Sequence, residues 1–323
     1  MKKSYLMMAA AATMLAACTQ TDLVQEVNTQ QEISFEGFAG KTTRAEIADA
    51  EALQDYGFKV WGYTGTTEDD VVFDGVPVTY GTDWSYVTEG VALKYWDKGK
   101  TYDFYATAPA DADLVWNREN NKFEVSNVTS GRATAENVVD YLTATQLGYD
   151  GVNGGTVNFS FSHIMSKVSV IVKTSEDLGA DATLTSVKMT GWNSGKGAYN
   201  GTNWNIESPI DGSAEFVDEA TEVSTTDVQI ASYLIVPQTI EYTAAEEETP
   251  EAGLAFTLSY KIGSSNFKTP VVVPDDQVWG VNQHTTYVFT IKPDAILFGV
   301  ANVAWDENVV TVPVPVVAGT PVQ

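Results

Sequence analysis

The chain has 323 residues and a formal net charge of −25, with 43 Asp and Glu against 18 Lys and Arg. That balance argues against a nucleic-acid partner, whose phosphates would repel it, and against a basic patch for anionic lipid. A hydrophobic share of 44%, with 15 Tyr, 13 Phe and 8 Trp, excludes a disordered chain and suits two domains with real cores.

The start is positive at Lys2 and Lys3, then apolar to Ala17, the layout of a secretory signal spanning residues 1–17. The apolar run is too short for a membrane-spanning helix, which needs about 20 residues. Leu15-Ala16-Ala17-Cys18 resembles the lipobox of bacterial lipoproteins, in which the leader is cut before the cysteine and the sulfur takes a diacylglycerol. The alternative is an ordinary signal peptide with a cysteine near the cut. Cys18 is the only cysteine, so no disulfide forms within the chain. Two or three acyl chains on it would anchor the protein firmly, since one binds only marginally.

Downstream, "RAEIADAEALQDYG" is the one helical candidate, ending at Gly57. Strands follow in "GFKVWGY" and in "KTYDFYATAP", where Tyr102, Phe104 and Ala106 share a face. "YDGVNGG" reads as a linker, with a domain boundary near Gly154. In "TVNFSFSHIMSKVSVIVK" the apolar positions are odd at Val157, Phe159 and Phe161 but even at Ile164, Val168, Val170 and Val172. A strand cannot change parity without turning over, so a bulge, a short turn or a change of partner belongs at residues 162–166. "TLTSVKMTGW", "LAFTLSYKIG" and "HTTYVFTI" are further alternating strands, and "YTAAEEETPEAG" is a solvated acidic loop. Many short strands divided by turn signals predict an all-β chain of sandwiches. In the tail, Pro313 and Pro315 lack an N–H and share parity, so both silence one edge. Val310, Val312, Val314 and Val316 leave the other edge free, as in an edge strand or a strand that docks elsewhere.

Catalytic patterns are absent: no HExxH, CxxC, GxSxG or phosphate loop occurs. With two histidines and one lipid-committed cysteine, a transition-metal site would lack ligands. His163 reads as a packed polar residue and His284 as a turn residue. The clustered acids at residues 67–70, 111–113 and 274–276 read as solvated turns. The tryptophans read as core residues in preference to a sugar-stacking platform. No enzyme, metal or other cofactor is expected.

Taken in order, the lipobox, "ISFEGF", "KTTRAE", "LQDYGFKVWGY", "YWDKGKTYDFYATAP", "FSHIMSKVSVIV", "YLIVPQTI", "VWGVNQHTTYVFTI" and "ILFGVANVAW" resemble the fimbrillin-family lipoproteins that build type V pili. The resemblance spans nearly the whole chain. It implies two tandem transthyretin-like β-sandwich domains, here residues 45–154 and 155–323, behind a lipidated segment 18–44. It also implies cleavage by an Arg-specific surface protease, which maps onto Arg44–Ala45. The strand released would carry Ile33 and Phe35, and the vacated groove would take a strand from another subunit. The donor would be the tail through Val310, Val312 and Val314, unless that tail is the last strand of its own sandwich. Partners implied are other pilin subunits, the protease, the outer membrane through lipid at Cys18, and a host or bacterial surface ligand. An open, head-to-tail strand contact of this kind builds filaments. The rival readings are a monomeric glycan-binding outer-membrane lipoprotein and a glycan hydrolase. The latter would need a facing carboxylate pair that the sequence does not signal.

Overall fold

The structure is a computed structural model that describes residues 31–38, 50–87, 90–179, 182–246, 251–293, 295–305, 312–318 and 320–321. The chain begins with β1 (Ser34–Phe38), α1 (Ala50–Tyr56), β2 (Phe58–Tyr63), β3 (Val71–Tyr80), β4 (Trp84–Ser85) and β5 (Thr101–Ala108). It continues through β6 (Val115–Asn117), β7 (Lys122–Val128), β8 (Gly131–Arg132), β9 (Leu142–Asp150), β10 (Thr156–Ser160) and β11 (Ser162–His163). Then come β12 (Ser166–Thr174), β13 (Ala182–Asn193), β14 (Lys196–Tyr199), β15 (Trp204–Glu207), β16 (Asp211–Glu215), β17 (Thr221–Val223) and β18 (Val228–Ile235). The last are β19 (Gln238–Ile240), β20 (Ala255–Ile262), β21 (Ser265–Val272), β22 (Gln277–Trp279), β23 (Gln283–Ile291), β24 (Ala295–Ala304), β25 (Val312–Ala318) and β26 (Thr320–Pro321). The expected all-β class holds, with α1 the one α-helix among the described residues.

The first core lies between the sheet β11-β9-β5-β2-β3-β4 and the parallel pair β1-β10. Period-two alternation supplies it: Tyr102, Phe104 and Ala106 from β5, and Val157 and Phe159 from β10. Leu53 of α1 adds to it. That helix ends where Gly57 takes φ +63° and its N–H reaches the Leu53 carbonyl at 2.9 Å, the left-handed C-terminal cap that glycine favours.

The second core lies between β25-β24-β23-β12-β18-β8 and β16-β13-β20-β21-β26. Leu258 and Phe256 of β20 face Tyr287 and Phe289 of β23 within it. A third cluster, with Leu114, Val125, Ile164, Met165, Leu234 and Trp305, sits under the sheet β15-β14-β7-β6. It joins strands from both halves of the chain, since β7 pairs with β14 and β8 pairs with β18.

The parity change is a change of sheet. β10 pairs with β1, β11 with β9, and β12 with β18 and β23. Phe161 therefore closes the first core, Ile164 and Met165 enter the third, and Val168 opens the second. Gly154 lies inside the run of strands that builds the first core, because β10 follows it. The chain leaves that core only after Phe161.

The tail forms an edge strand, as the prolines require. Among the described residues β25 pairs with β24 alone, antiparallel, from Val300↔Val312 to Ala295↔Ala318. The register slips between Ile296 and Phe298, where Pro315 and Val316 face a single residue of β24. That is the bulge expected of an edge strand containing proline.

Candidate functional site

The strand β1 is held at both ends. Its register with β10 runs from Ser34↔Thr156 to Phe38↔Ser160. The hydroxyls of Ser34 and Thr156 meet at 2.8 Å. Beyond the strand, the Phe161 N–H donates to the Phe38 carbonyl at 2.9 Å. At its other end the chain docks on a second segment: Ile33 N–H donates to the Lys94 carbonyl and Trp96 N–H to the Gln31 carbonyl, each at 2.9 Å. Residues 31–38 are thus stitched to two stretches that are remote in sequence.

Its side chains go inward at alternate positions. Ile33 and Phe35 are 1% and 2% exposed, Phe38 57%. The Phe35 ring has four aromatic neighbours: Phe73 at 5.1 Å, Phe104 at 5.6 Å, Tyr86 at 5.7 Å and Phe159 at 5.9 Å. Tyr86 is fixed by the Lys94 N–H, which donates to its hydroxyl at 2.9 Å, and burial pushes its phenol pKa up. At the third inward position stands Gly37. A Cβ there would come 2.7 Å from Leu53 Cδ2, 3.0 Å from Phe58 and 3.2 Å from Phe161. The groove therefore takes a strand reading large, aromatic, none at successive inward positions.

Ile33 and Phe35 are buried in the first core. Cys18, Arg44, Ala45 and Val310 lie outside the described residues. Val312 and Val314 are placed in β25, on the edge of the chain's own second sheet. The sequence reading missed Gly37 and the docking of residues 31–33 on 94–96. The period-two pattern of "ISFEGF" could have pointed to the former, as the small residue ending an apolar face.

The two histidines are both interior. His163 is 1% exposed and its Nδ1 lies 2.9 Å from the Asp140 carboxylate. It is a packed polar residue, as expected. His284 was expected in a turn, but it lies on β23, where the Ser169 and Thr286 hydroxyls reach its Nε2 at 2.8 and 3.2 Å. Burial, then the nearby Lys167 charge, pushes its pKa down to about 3. The imidazole is neutral in the folded protein. Trp61, Trp96, Trp116, Trp192, Trp279 and Trp305 are buried, so these rings form no exposed stacking platform. Among the described residues no group of three or more His, Cys, Asp or Glu is placed to hold a metal.

A family model for fimbrillin-like proteins matches residues 43–305. This chain belongs to the fimbrillin-like family. Among curated proteins, fimbrium subunit Fim1C of Phocaeicola vulgatus is 25% identical over 242 residues, covering 64% of this chain and 62% of that protein. The match spans less than two thirds of that relative's length. Among solved structures, a candidate cell adhesion protein from Bacteroides ovatus aligns with TM-score 0.53 at 14% identity, over 86% of this chain and 99% of its own. Another, from Bacteroides uniformis, aligns with TM-score 0.51 at 15% identity, over 85% and 99%. At these identities the likeness establishes a shared fold.

Proposed function

We propose that this fimbrillin-like chain is a subunit of a cell-surface fimbrium with a role in adhesion. In this reading it is exported as an outer-membrane lipoprotein through Cys18 and cut between Arg44 and Ala45. A strand from another subunit then takes the place of β1. The observation that carries the reading is β1 itself. It completes the first core, yet in sequence it lies ahead of the polar "GKTTRAE" stretch, so a cut there detaches it from everything that follows. Its loss exposes an aromatic slot and the unpaired backbone of β10, which strongly favour a replacement strand. The names of the curated relative and the solved neighbours, a fimbrium subunit and candidate adhesion proteins, support the same reading. The division into two sandwiches belongs to it also, with the passage between them at residues 162–166.

Residues 310–316 serve as a donor in this scheme only if β25 leaves β24. A subunit whose tail stays docked ends a fibre and does not extend it. The test is the N-terminus and mass of the surface protein, with its size on a gel without boiling. A start at Ala45 with a ladder of multimers is the expected result. A lipidated start at Cys18 with monomer alone would overturn the role of polymerising stalk, leaving an anchor subunit or a glycan-binding lipoprotein as the better account.

A further inference from the structure

On the outer face of the first sheet, away from its core, a small aromatic cluster stands apart. It contains Trp61, Tyr63 and Trp116, with Tyr105 and Phe123 packed against it. Trp116 stacks on Tyr105 with ring centres 3.6 Å apart and planes at 11°. Beside the cluster run two adjoining cavities, about 650 and 200 Å³ in volume, which share Tyr63, Thr66, Trp116 and Arg118. The larger falls in the size range of small-molecule sites.

We propose that this groove, between the turn at residues 64–70 and strand β6, binds a short neutral oligosaccharide. The walls are built before any ligand arrives. The Arg118 guanidinium lies 4.3 Å over the Tyr63 ring and donates to the carbonyls of Gly65 and Thr67 at 2.8 and 2.9 Å. Within the turn, Asp70 accepts from the Thr67 N–H at 2.9 Å and from its hydroxyl at 2.6 Å. A Cβ at Gly65 would meet the Asp70 carboxylate at 2.6 Å and push it from this position. Walls fixed this way lose little freedom on binding.

The polar groups are of the kinds that sugar hydroxyls need. Trp116 is 8% exposed and its Nε1–H is buried, so the indole is a wall, and the phenol hydroxyl donors that line the smaller cavity are those of Tyr63 and Tyr105. Tyr63 stays a neutral phenol, because burial pushes its pKa up to about 12. Glu68, Asp74 and Glu119 line the larger cavity and Asp103 the smaller. Carboxylates accept from hydroxyls, whereas they repel an anionic ligand. The single charge of Arg118 is outnumbered by these four carboxylates, so the groove is net negative and unfavourable to a carboxylate or sulfate. Val71 and Val115, 39% and 41% exposed, offer an apolar wall for a sugar's C–H face. The aromatic faces are packed on each other, so recognition rests on the two phenol hydroxyls.

The test uses the full chain on a panel of cello-, xylo-, malto- and N-acetyllactosamine oligosaccharides, with sialylated and sulfated glycans and an oligolysine peptide alongside. Binding is read by calorimetry into the millimolar range. At least one neutral glycan binds, and Tyr63→Phe and Tyr105→Phe each weaken it about tenfold, the loss expected for one hydrogen bond. Each change removes only a hydroxyl and keeps the ring, so the packing of the cluster is retained. Trp192→Phe, in the second core, leaves affinity unchanged. Silence across the neutral panel overturns the proposal, as does preference for the anionic glycans or displacement by oligolysine. The measurement is made on monomer, so its failure leaves the fimbrial reading standing.

Discussion

The imidazole of His163 lies flat on the indole of Trp305, ring centres 4.0 Å apart and planes 10° from parallel, while its Nδ1 meets the Asp140 carboxylate. Three remote segments meet here: the approach to β9, the switch from β10 to β12, and the residue after β24. The Trp305 N–H donates to the Asn282 carbonyl at 3.0 Å, fixing the indole's own backbone. The stack therefore clamps the point at which the chain passes from one core to the other.

Replacing His163 with Ala is expected to cost about 2–4 kcal/mol. It opens a cavity against Trp305 and removes one of the buried partners of Asp140. Urea denaturation measures it. A change below about 0.5 kcal/mol would show that the clamp contributes little to stability.

His284 makes stability depend on pH. Its folded pKa lies below the unfolded value of about 6.5, so the folded state favours the neutral ring. The contribution is fully present above pH about 6.5 and declines as pH falls toward the folded value of about 3. Between pH 6.5 and 5 the expected loss is about 2 kcal/mol. His284→Asn should flatten that part of the curve. Identical slopes for the two proteins would remove His284 as the cause.

Gly37→Ala should loosen β1 without disturbing the second core. Its Cβ would strike Leu53 Cδ2 at 2.7 Å, and overpacking of this kind costs about 1–3 kcal/mol. Hydrogen exchange localises the effect: amides of β1 and β10 should exchange faster, and those of β12 and β23 should not. Uniform acceleration would mean that the two cores unfold together.

Much of this architecture is legible as alternation. Phe104 on β5 and Phe256 on β20 announce their faces because a half-buried strand repeats every two residues. The shared parity of Pro313 and Pro315 marks an edge, since a missing N–H matters only where a neighbour needs it. The slip between Phe161 and Val168 is visible for the same reason. What alternation cannot carry is partnership across distance. Ser34 and Thr156 are 122 residues apart, and nothing local in either strand names the other. Asp140 reads like any other acid in a chain of net charge −25; only the fold sets it against His163. His284 looked like a turn residue because "GVNQ" precedes it, but the turn ends one residue before β23 begins at Gln283.

The shape of the β1 slot also bears on which strand can replace it. Phe35 fills a space walled by Phe73, Tyr86, Phe104 and Phe159, and at Gly37 a Cβ would crowd Leu53, Phe58 and Phe161. The tail at residues 310–316 offers only valine at its non-proline alternate positions. Valine at the Phe35 site leaves part of that space empty, and a side chain at the Gly37 site meets Leu53. A peptide of residues 31–38 should therefore bind a chain beginning at Ala45 at least about tenfold more tightly than a peptide of residues 309–317, a gap of about 1.4 kcal/mol or more. Competition against a fluorescent copy of the first peptide measures the ratio, and a Phe35→Val version should fall between the two. Equal affinities would mean that backbone pairing with β10 dominates and the aromatic slot does not select. A preference for the tail peptide would make this chain's own C-terminus the natural occupant of the groove and a self-polymerising fibre the simplest assembly.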